Sequence, residues 1–378
     1  MPQAEPLKHR IHREGIESLA RFFTAASPRF ASKRFVQRAL DGLEPLELKA
    51  RISHVAGALA ATLPTDFEAA APVIDTAVRL HRGAGPAAAV DVTDATFVFW
   101  PLCTFVEDHG LEHPDRALDT MHGLTALATC EFAIRPYIER DPQRVFKRLR
   151  RWANDDDMHV RRLVSEGTRP RLPWGRRLRA LQGDPAPAVA LLDALRQDPE
   201  LYVRRSVANH LNDIAKDHPE LAVTIATRWK EATPSDEVAW VVRHALRSLI
   251  KQGHRGALAL EGVREPKLGE LTFSVSPRRL RFGSSLSLEL ELQSTRAQEL
   301  IIDYAVHHMK ANGTRAPKVF KWVRRTVAKG ETVALNKAHP IRAISTRRYY
   351  PGVHRVELLV NGRSLETRDF TLVGIPKA

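Results

Sequence analysis

The sequence predicts a mainly α protein in which a helical-repeat solenoid precedes a smaller all-β sandwich. Apolar residues recur at three- and four-residue spacing from the start of the chain to about Gln252, which is typical of amphipathic helices. After a linker at 253–269, apolar residues alternate with polar ones, as they do in strands. A chain of 378 residues with 43% hydrophobic residues can bury a sizeable core. We therefore expect a helical domain at residues 1–262 and a sandwich at residues 267–378.

Proline steps mark the starts of several helices in the first domain. Proline fits the first turn of a helix, and an Asp before it can cap that turn, so each step predicts a helix that begins there. The steps are Asp141-Pro142, Asp184-Pro185, Asp198-Pro199 and His218-Pro219. Two of the helices that they predict cover residues 143–153 and 185–196.

An arginine-bearing segment recurs at an interval close to 40 residues. The aligned arginines lie 43 and 38 residues apart, and they are Arg162, Arg205 and Arg243. That period is typical of HEAT-like helical pairs, in which an outer helix and a turn precede an inner helix. We expect the inner helices to carry these arginines, and the stacked pairs to form a superhelix with a concave face.

The second domain contains seven short segments with strand patterning. They are 271–275, 286–292, 300–307, 319–323, 331–335, 355–360 and 370–373. Turn signals such as Asn312-Gly313, Lys329-Gly330 and Asn361-Gly362 separate them. Seven strands in about a hundred residues predict an immunoglobulin-like sandwich, here without the cysteine pair of secreted immunoglobulin domains.

Positive charge is concentrated in the second domain. The whole chain has a formal net charge of +14. Residues 267–378 hold 20 Lys and Arg against 9 Asp and Glu, whereas residues 1–266 hold 38 against 35. Such a field attracts nucleic acid, an acidic membrane surface or an acidic protein, and charge alone does not choose among them.

Composition also argues against several classes of protein. Residues 1–15 are charged and do not resemble a signal peptide. No stretch of the sequence approaches eighteen consecutive apolar residues, the length that crosses a membrane. We therefore expect a cytoplasmic protein that does not enter membranes. Cys103 and Cys130 lie in apolar surroundings, which favours reduced core thiols. The sixteen histidines show no metal-binding spacing. We expect no metal and no cofactor.

The segment 165–174, SEGTRPRLPW, is the most informative part of the chain. It lies within residues 144–179, where twelve Lys and Arg face four Asp and Glu. Arginines suit a phosphate polyanion, but Glu166 repels phosphate, and chemistry on a bound nucleotide would explain its presence. The alternative is that Glu166 only pairs with a nearby arginine at a helix end. Trp174 either stacks on a base or sugar, or anchors its loop between repeats.

Repeat spacing predicts which polar residues accompany Glu166. One repeat before it lies Glu131, and one repeat after it lies Asn209, with Asp213 one helical turn further on. Because packed helices lie roughly 8 to 10 Å apart, these side chains are expected to form an acidic column. The arginines expected around the column are Arg162, Arg169, Arg171 and Arg205.

The chain resembles a known family, the bacterial AlkC branch of the AlkC/AlkD DNA alkylation repair glycosylases. Within that branch it resembles the subgroup with a C-terminal immunoglobulin-like domain. The resemblance covers nearly the whole chain. Its motifs are SEGTRPRLPW at 165–174, RSVANHLND at 205–213, the expected helix at Glu131-Phe132 and LELKAR at 46–51. It implies that Glu131, Glu166 and Asp213 form the acidic catalytic set, and that Trp174 lies near the lesion sugar.

The resemblance implies that the chain excises cationic bases such as N3-methyladenine from duplex DNA, and we expect no lyase step. We expect Phe132, the four arginines and Asn209 to help bind the substrate, and we expect a monomer that associates with the bacterial nucleoid. A cationic base is already a good leaving group, so carboxylates that stabilise the sugar and orient water suffice. Two alternatives stay open: a non-catalytic HEAT scaffold that binds acidic proteins, and a DNA-binding protein without chemistry.

Overall fold

The computed structural model describes residues 6–83, 92–344 and 347–375, so the first five residues of the predicted helical region lie outside it. The chain forms two compact units. The first comprises Met1–Asp217 and Trp229–Ala245, and the second His218–Arg228 and Leu246–Ala378. The first unit is helical and the second contains the sandwich, which confirms the predicted fold class.

The helices begin after a short 3-10 helix at Leu7–Arg10. The described α-helices are α1 (Arg13–Ala26), α2 (Ser32–Leu40), α3 (Leu48–Ala60), α4 (Phe67–Gly83), α5 (Val92–His109), α6 (Pro114–Leu124), α7 (Arg135–Arg140), α8 (Pro142–Trp152), α9 (Met158–Gly167), α10 (Arg179–Gly183), α11 (Ala186–Leu195), α12 (Leu201–Asp217), α13 (Pro219–Ala232), α14 (Asp236–Ala245), α15 (Arg247–Lys251) and α16 (Arg255–Leu260).

Asp residues cap helices at or near the predicted starts. The Asp141 carboxylate accepts a hydrogen bond from Arg144 N at 3.1 Å, and α8 begins at the proline that follows. Asp184 accepts from Ala186 N at 3.0 Å at the start of α11. These contacts satisfy backbone N–H groups that have no partner inside the helix.

The repeated arginines Arg162, Arg205 and Arg243 lie in α9, α12 and α14. Their placement on inner helices stays a prediction. α12 packs against α9 on one side and α14 on the other. Each buries apolar residues, such as Val160 and Leu163 in α9, and leaves its arginine outside the apolar core. Arg162 is half-buried, whereas Arg205 and Arg243 are exposed.

Among the described residues, the sandwich has eight strands in two sheets. They are β1 (Leu268–Ser276), β2 (Arg279–Arg281), β3 (Ser285–Ser294), β4 (Gln298–Met309), β5 (Arg315–Val327), β6 (Thr332–Pro340), β7 (Gly352–Val360) and β8 (Arg363–Val373). One sheet has the order β1-β3-β6 and the other β2-β8-β7-β4-β5. Side chains of β3 alternate strictly between exposed and buried, which places its apolar face in the core between the sheets.

All seven predicted strands are present, and each is longer than predicted. The additional strand β2 has three residues and pairs in parallel with β8, and so short a segment has no readable alternation. The predicted Asn361-Gly362 turn joins β7 to β8 with φ angles of 48° and 72°. This left-handed geometry favours Asn and Gly.

Helix α16 packs with the sandwich inside the second unit. Leu258, Val263 and Ile301 form a small buried cluster, and Asn361 Nδ2 donates to the Arg264 carbonyl at 2.7 Å. The boundaries expected at 262 and 267 stay a prediction, whereas the compact units divide the chain between Ala245 and Leu246. A cut at 267 would expose the apolar side of this cluster.

Candidate active site

Three buried carboxylates come together around α9. Glu166 lies in the last turn of α9, Asp213 in α12, and Glu131 in the turn before α7. Their exposed fractions are 9% for Glu131, 5% for Glu166 and 1% for Asp213. The predicted helix at Glu131 is wrong, because the Thr129 hydroxyl accepts the Glu131 backbone N–H at 3.4 Å in place of a helical carbonyl.

Cations alternate with these carboxylates in a continuous series of contacts. Arg162 Nη1 donates to Glu131 Oε2, and its Nη2 lies 3.6 Å from Glu166 Oε1. Arg169 donates to Glu166 Oε1 at 2.5 Å and to Asp213 Oδ2 at 2.8 Å. Lys216 Nζ then donates to Asp213 Oδ1 at 2.8 Å. We call these six residues the carboxylate row; it holds three anions and three cations.

The two arginines of the row keep their charges despite their burial. Burial alone would lower the pKa of Arg162, but Glu166 and Glu131 outweigh it and the pKa is raised above its ordinary value. Burial likewise opposes the charge of Arg169, and Glu166 and Asp213 raise its pKa overall. Charges that are paired and hydrogen-bonded can remain ionised in a buried site.

The three carboxylates differ in how many of their oxygens are engaged. Glu166 Oε2 accepts from the Ser206 hydroxyl at 2.6 Å, so both of its oxygens have donors. Both oxygens of Asp213 are also engaged. Glu131 Oε2 accepts from Thr129 Oγ1 at 2.8 Å and from Arg162. Among the residues that the structure describes, none donates to Glu131 Oε1.

The arginines predicted around the acids have different surroundings. Arg162 and Arg169 belong to the carboxylate row, so pairing with the acids occupies their guanidinium groups. Arg171 Nε donates to Asp217 Oδ2 at 2.8 Å, outside the row. Arg205 is exposed and Asn209 is half-buried. Phosphate or substrate contact by these residues stays a prediction.

Trp174 lies in the loop after α9, with its indole largely in solvent. The residue is 65% exposed and has a φ of 64°, so it does not anchor its loop by burial. Phe132 stacks on Trp100, with ring centroids 5.4 Å apart. A cleft of about 270 Å³ lies among Trp100, Phe132 and Trp174. Lys49 and Glu107 also line this cleft, which we call the Trp174 cleft.

Several residues of the site were missed in the sequence. Ser206 belongs to the quoted 205–213 motif, yet a serine in a helix has many possible roles. Lys49 lies in the 46–51 motif, and its contact with Trp174 spans 125 positions. Lys216 follows Asp213 by three residues, which is the spacing of a helical ion pair and a readable signal.

His210 is a further buried group that the sequence did not single out. It is fully buried, and its Nδ1 lies 2.9 Å from the Ser165 carbonyl oxygen. Burial lowers the pKa of His210 to about 3. The imidazole is therefore neutral near pH 7 and is a poor candidate for protonating a leaving base.

The described residues show neither a metal site nor a membrane span. In the part of the chain that the structure describes, no group of three or more His, Cys, Asp or Glu residues is arranged to hold a metal ion. No helix in that part is long and apolar enough to cross a membrane. Cys103 and Cys130 are buried free thiols whose Sγ atoms lie 3.4 Å apart.

Comparison with known proteins covers both parts of the chain. Residues 125–249 match the family "DNA alkylation repair enzyme", and residues 270–374 match the family "Uncharacterised protein YhaZ, C-terminal Ig-like domain". Uncharacterized protein YhaZ of Bacillus subtilis (strain 168) is 35% identical over 369 residues, which cover 96% of this chain and 98% of YhaZ.

A solved structure is similar over the full length. It is the Pseudomonas fluorescens alkylpurine DNA glycosylase AlkC bound to DNA containing an abasic site analog. The two chains are 36% identical with a TM-score of 0.85, and the match covers 98% of this chain and all of AlkC.

These matches place the chain in a class of DNA alkylation repair enzymes that carry an added immunoglobulin-like domain. Within that class, the chain belongs to the AlkC branch of alkylpurine DNA glycosylase-like enzymes, in the subgroup with the C-terminal immunoglobulin-like domain. The resemblance found in the sequence is confirmed.

Proposed function

We propose that this chain hydrolyses the N-glycosidic bond of cationic alkylated bases in duplex DNA, above all N3-methyladenine. The observation that carries the proposal is the carboxylate row. Acids repel DNA phosphates, so a protein that only bound DNA would gain nothing from three of them among its arginines. We also propose that it acts as a monomer in the bacterial cytoplasm and leaves the abasic strand uncut.

The reaction needs little help at the leaving base. Alkylation at N3 gives the purine a positive charge, and when the bond from C1′ to N9 breaks, its electron pair neutralises that charge. Positive charge then develops on the sugar, and a water oxygen forms the new bond to C1′. A site for this reaction must stabilise the sugar cation and accept one proton from water.

Glu131 is the best candidate for handling the water. It is the most exposed of the three acids, and its Oε1 has no donor among the described residues. That oxygen can accept a hydrogen bond from water while Arg162 and Thr129 fix the other oxygen. Once the bond to C1′ forms, the same oxygen can take the proton.

Glu166 and Asp213 contribute fixed negative charge. Their oxygens are held by Arg169, Ser206 and Lys216, so they do not reorganise when the sugar becomes positive. Electrostatic stabilisation is most effective when the charged groups are already in place.

Aromatic groups and exposed cations supply the remaining binding contacts. The exposed Trp174 indole and the half-buried Phe132 ring offer faces that attract a cationic base or sugar. Arg205 is free to contact phosphate at the surface of α12. The excess positive charge of residues 267–378 favours binding to duplex DNA.

A lyase step requires an uncharged amine that attacks C1′. Lys216 is the lysine of the carboxylate row, and its ammonium group is paired with Asp213 at 2.8 Å. An ammonium ion has no free electron pair, so it cannot form a Schiff base. This arrangement supports hydrolysis by water and an intact abasic strand as the product.

Matched duplexes test the proposal. The enzyme is incubated with methylated DNA and with duplexes that carry uracil or 8-oxoguanine; released bases are identified by mass spectrometry, and strands are analysed with and without alkali. We expect release of N3-methyladenine, little release of the neutral bases, and strand breaks only after alkali. Efficient uracil release, a complex trapped by borohydride, or strand cleavage before alkali would contradict the proposed mechanism.

A further inference from the structure

The main-chain carbonyl of Trp174 is held by a side chain from a distant helix. Lys49, in α3, donates from Nζ to the Trp174 carbonyl oxygen at 2.6 Å. The same ammonium lies 5.9 Å from the centre of the Phe132 ring. Lys49 therefore connects the N-terminal helices to both aromatic residues that are expected to touch the substrate.

Trp174 needs such a contact because its backbone conformation is unfavourable. Its φ of 64° lies in the left-handed region, which bulky side chains rarely adopt. The next residue, Gly175, packs closely, since a Cβ there would lie 3.1 Å from Leu172 Cδ2 and 3.3 Å from Phe132 Cδ1. The chain thus passes close to Phe132 while the indole points into solvent, and burial of the indole does not maintain this conformation.

The ends of the Trp174 loop are fixed independently of Lys49. Arg135 is fully buried and donates from Nη1 to the Gly167 carbonyl at 2.9 Å and from Nε to the Arg176 carbonyl at 2.8 Å. Burial lowers the pKa of Arg135 to about 10, so it stays charged near pH 7. Inside the loop, Gly175 N donates to the Leu172 carbonyl at 3.2 Å and closes a turn that contains Trp174. Lys49 adds a contact to the Trp174 carbonyl itself.

We propose that Lys49 is a positioning residue, which holds the Trp174 backbone in its left-handed conformation and so places the indole beside the reacting sugar. The proposal rests on the proposed function. Without the Nζ contact, only the 3.2 Å hydrogen bond from Gly175 N to the Leu172 carbonyl still holds this turn, so the peptide at Trp174 rotates more easily and the exposed indole moves with it. A displacement of about 1 Å in such a group can lower a reaction rate about a hundredfold.

Kinetics separate positioning from simple attraction of DNA. Lys49→Met removes the donor but keeps the length of the side chain, and Lys147→Met removes one positive charge from an exposed site in α8 as the matched control. For Lys49→Met we expect the single-turnover rate of N3-methyladenine release to fall about ten- to a hundredfold. The Kd for the same duplex should stay within about twofold of the Lys147→Met value, and Lys49→Arg should restore most of the rate.

Fluorine NMR tests the position of the indole without any reaction. The protein is labelled with 5-fluorotryptophan, and the Trp174 signal is identified by its loss in Trp174→Phe. In Lys49→Met we expect this signal to shift and broaden while the signals of Trp152 and Trp229 stay unchanged. Lys147→Met should leave all of these signals in place. The spectrum remains informative even if the parental protein releases no methylated base.

Two results would overturn the positioning role. In the first, the Trp174 signal and the excision rate of Lys49→Met both equal those of Lys147→Met. In the second, Lys49→Met weakens DNA binding and flattens its salt dependence while its bound-state rate stays parental, which would make Lys49 a phosphate contact. The parental protein could release no methylated base while its Trp174 signal still depends on Lys49. That result would refute the proposed function and leave the contact between Lys49 and Trp174 supported.

Discussion

Arg169 and Asp213 form a buried ion pair across 44 positions of sequence, with Nε of the guanidinium 2.8 Å from Oδ2 of the carboxylate. The same guanidinium contacts Glu166, so one cation holds two of the candidate catalytic acids. Arg169 is 7% exposed and Asp213 is 1% exposed. Such a pair is costly to break, because the charge that remains is buried without its partner.

Arg169→Met should therefore affect stability first. We expect the free energy of unfolding to fall by about 3 to 5 kcal/mol, since Glu166 and Asp213 lose their shared cation. Urea unfolding followed by circular dichroism measures the change. The control is Arg205→Met in exposed surroundings, which should change stability by about 0.5 kcal/mol or less. If Arg169→Met keeps the parental stability and only weakens DNA binding, Arg169 is a phosphate contact instead.

Neutral replacements of the two held acids should separate binding from chemistry. Glu166→Gln and Asp213→Asn keep the shape of each side chain and an oxygen acceptor, so we expect the fold to persist. DNA affinity should be equal or slightly higher because repulsion of phosphate falls. The single-turnover rate should fall by about a hundredfold or more. Parental rates in both folded variants would make these acids purely structural.

The sequence allowed the strands, the repeat and part of the site to be predicted, for identifiable reasons. Arg162 and Glu166 are four residues apart, so their shared helix face can be read directly. The turn around Glu131 depends on local threonine hydroxyls, and helical periodicity carries no sign of them. The pairing of Arg169 with Asp213 depends on how α12 packs beside α9. The repeat spacing predicted that Arg169 and Asp213 lie near each other, but it did not predict that they form an ion pair.

The positive charge of the sandwich predicts a role in holding DNA. Lys318, Lys321 and Lys329 are exposed on or beside the edge strand β5. Changing all three to Gln should weaken duplex binding and reduce the slope of log K against log salt by about 0.9 for each phosphate that the variant no longer neutralises. The control is the variant in which the same three lysines are changed to Arg, because it keeps all three positive charges. An unchanged salt slope in the Gln variant would mean that these lysines do not contact DNA.

Buried histidines should make the sandwich sensitive to acid. Burial lowers the pKa of His308 to about 3 and that of His339 to about 4, and Arg347 adds to both shifts. In the unfolded chain each has a pKa of about 6.5 and takes up a proton first. Above about pH 6.5 both histidines are neutral in the folded and in the unfolded chain, and the free energy of unfolding is at its full value. As the pH falls toward 4 and 3, protonation favours the unfolded chain, so the free energy of unfolding decreases.

Calorimetry of the full chain between pH 7 and 4 measures this loss as a falling Tm. His308→Gln removes one of the groups that must be protonated, so its Tm should decline less steeply than that of the parental protein. His12→Gln, at the start of α1, controls for loss of a half-buried histidine in the helical unit. Equal slopes in parental protein and His308→Gln would show that His308 does not contribute.

The most direct test of the carboxylate row is the single-turnover release of N3-methyladenine from methylated duplex DNA by Glu131→Gln, with Kd measured on the same DNA. Glu14→Gln, at an exposed site in α1, is the matched control. The account predicts that the rate of Glu131→Gln falls about a hundredfold or more while Kd stays the same or decreases. A folded Glu131→Gln protein that releases the base at the parental rate would contradict the assignment of Glu131 as the residue that activates water.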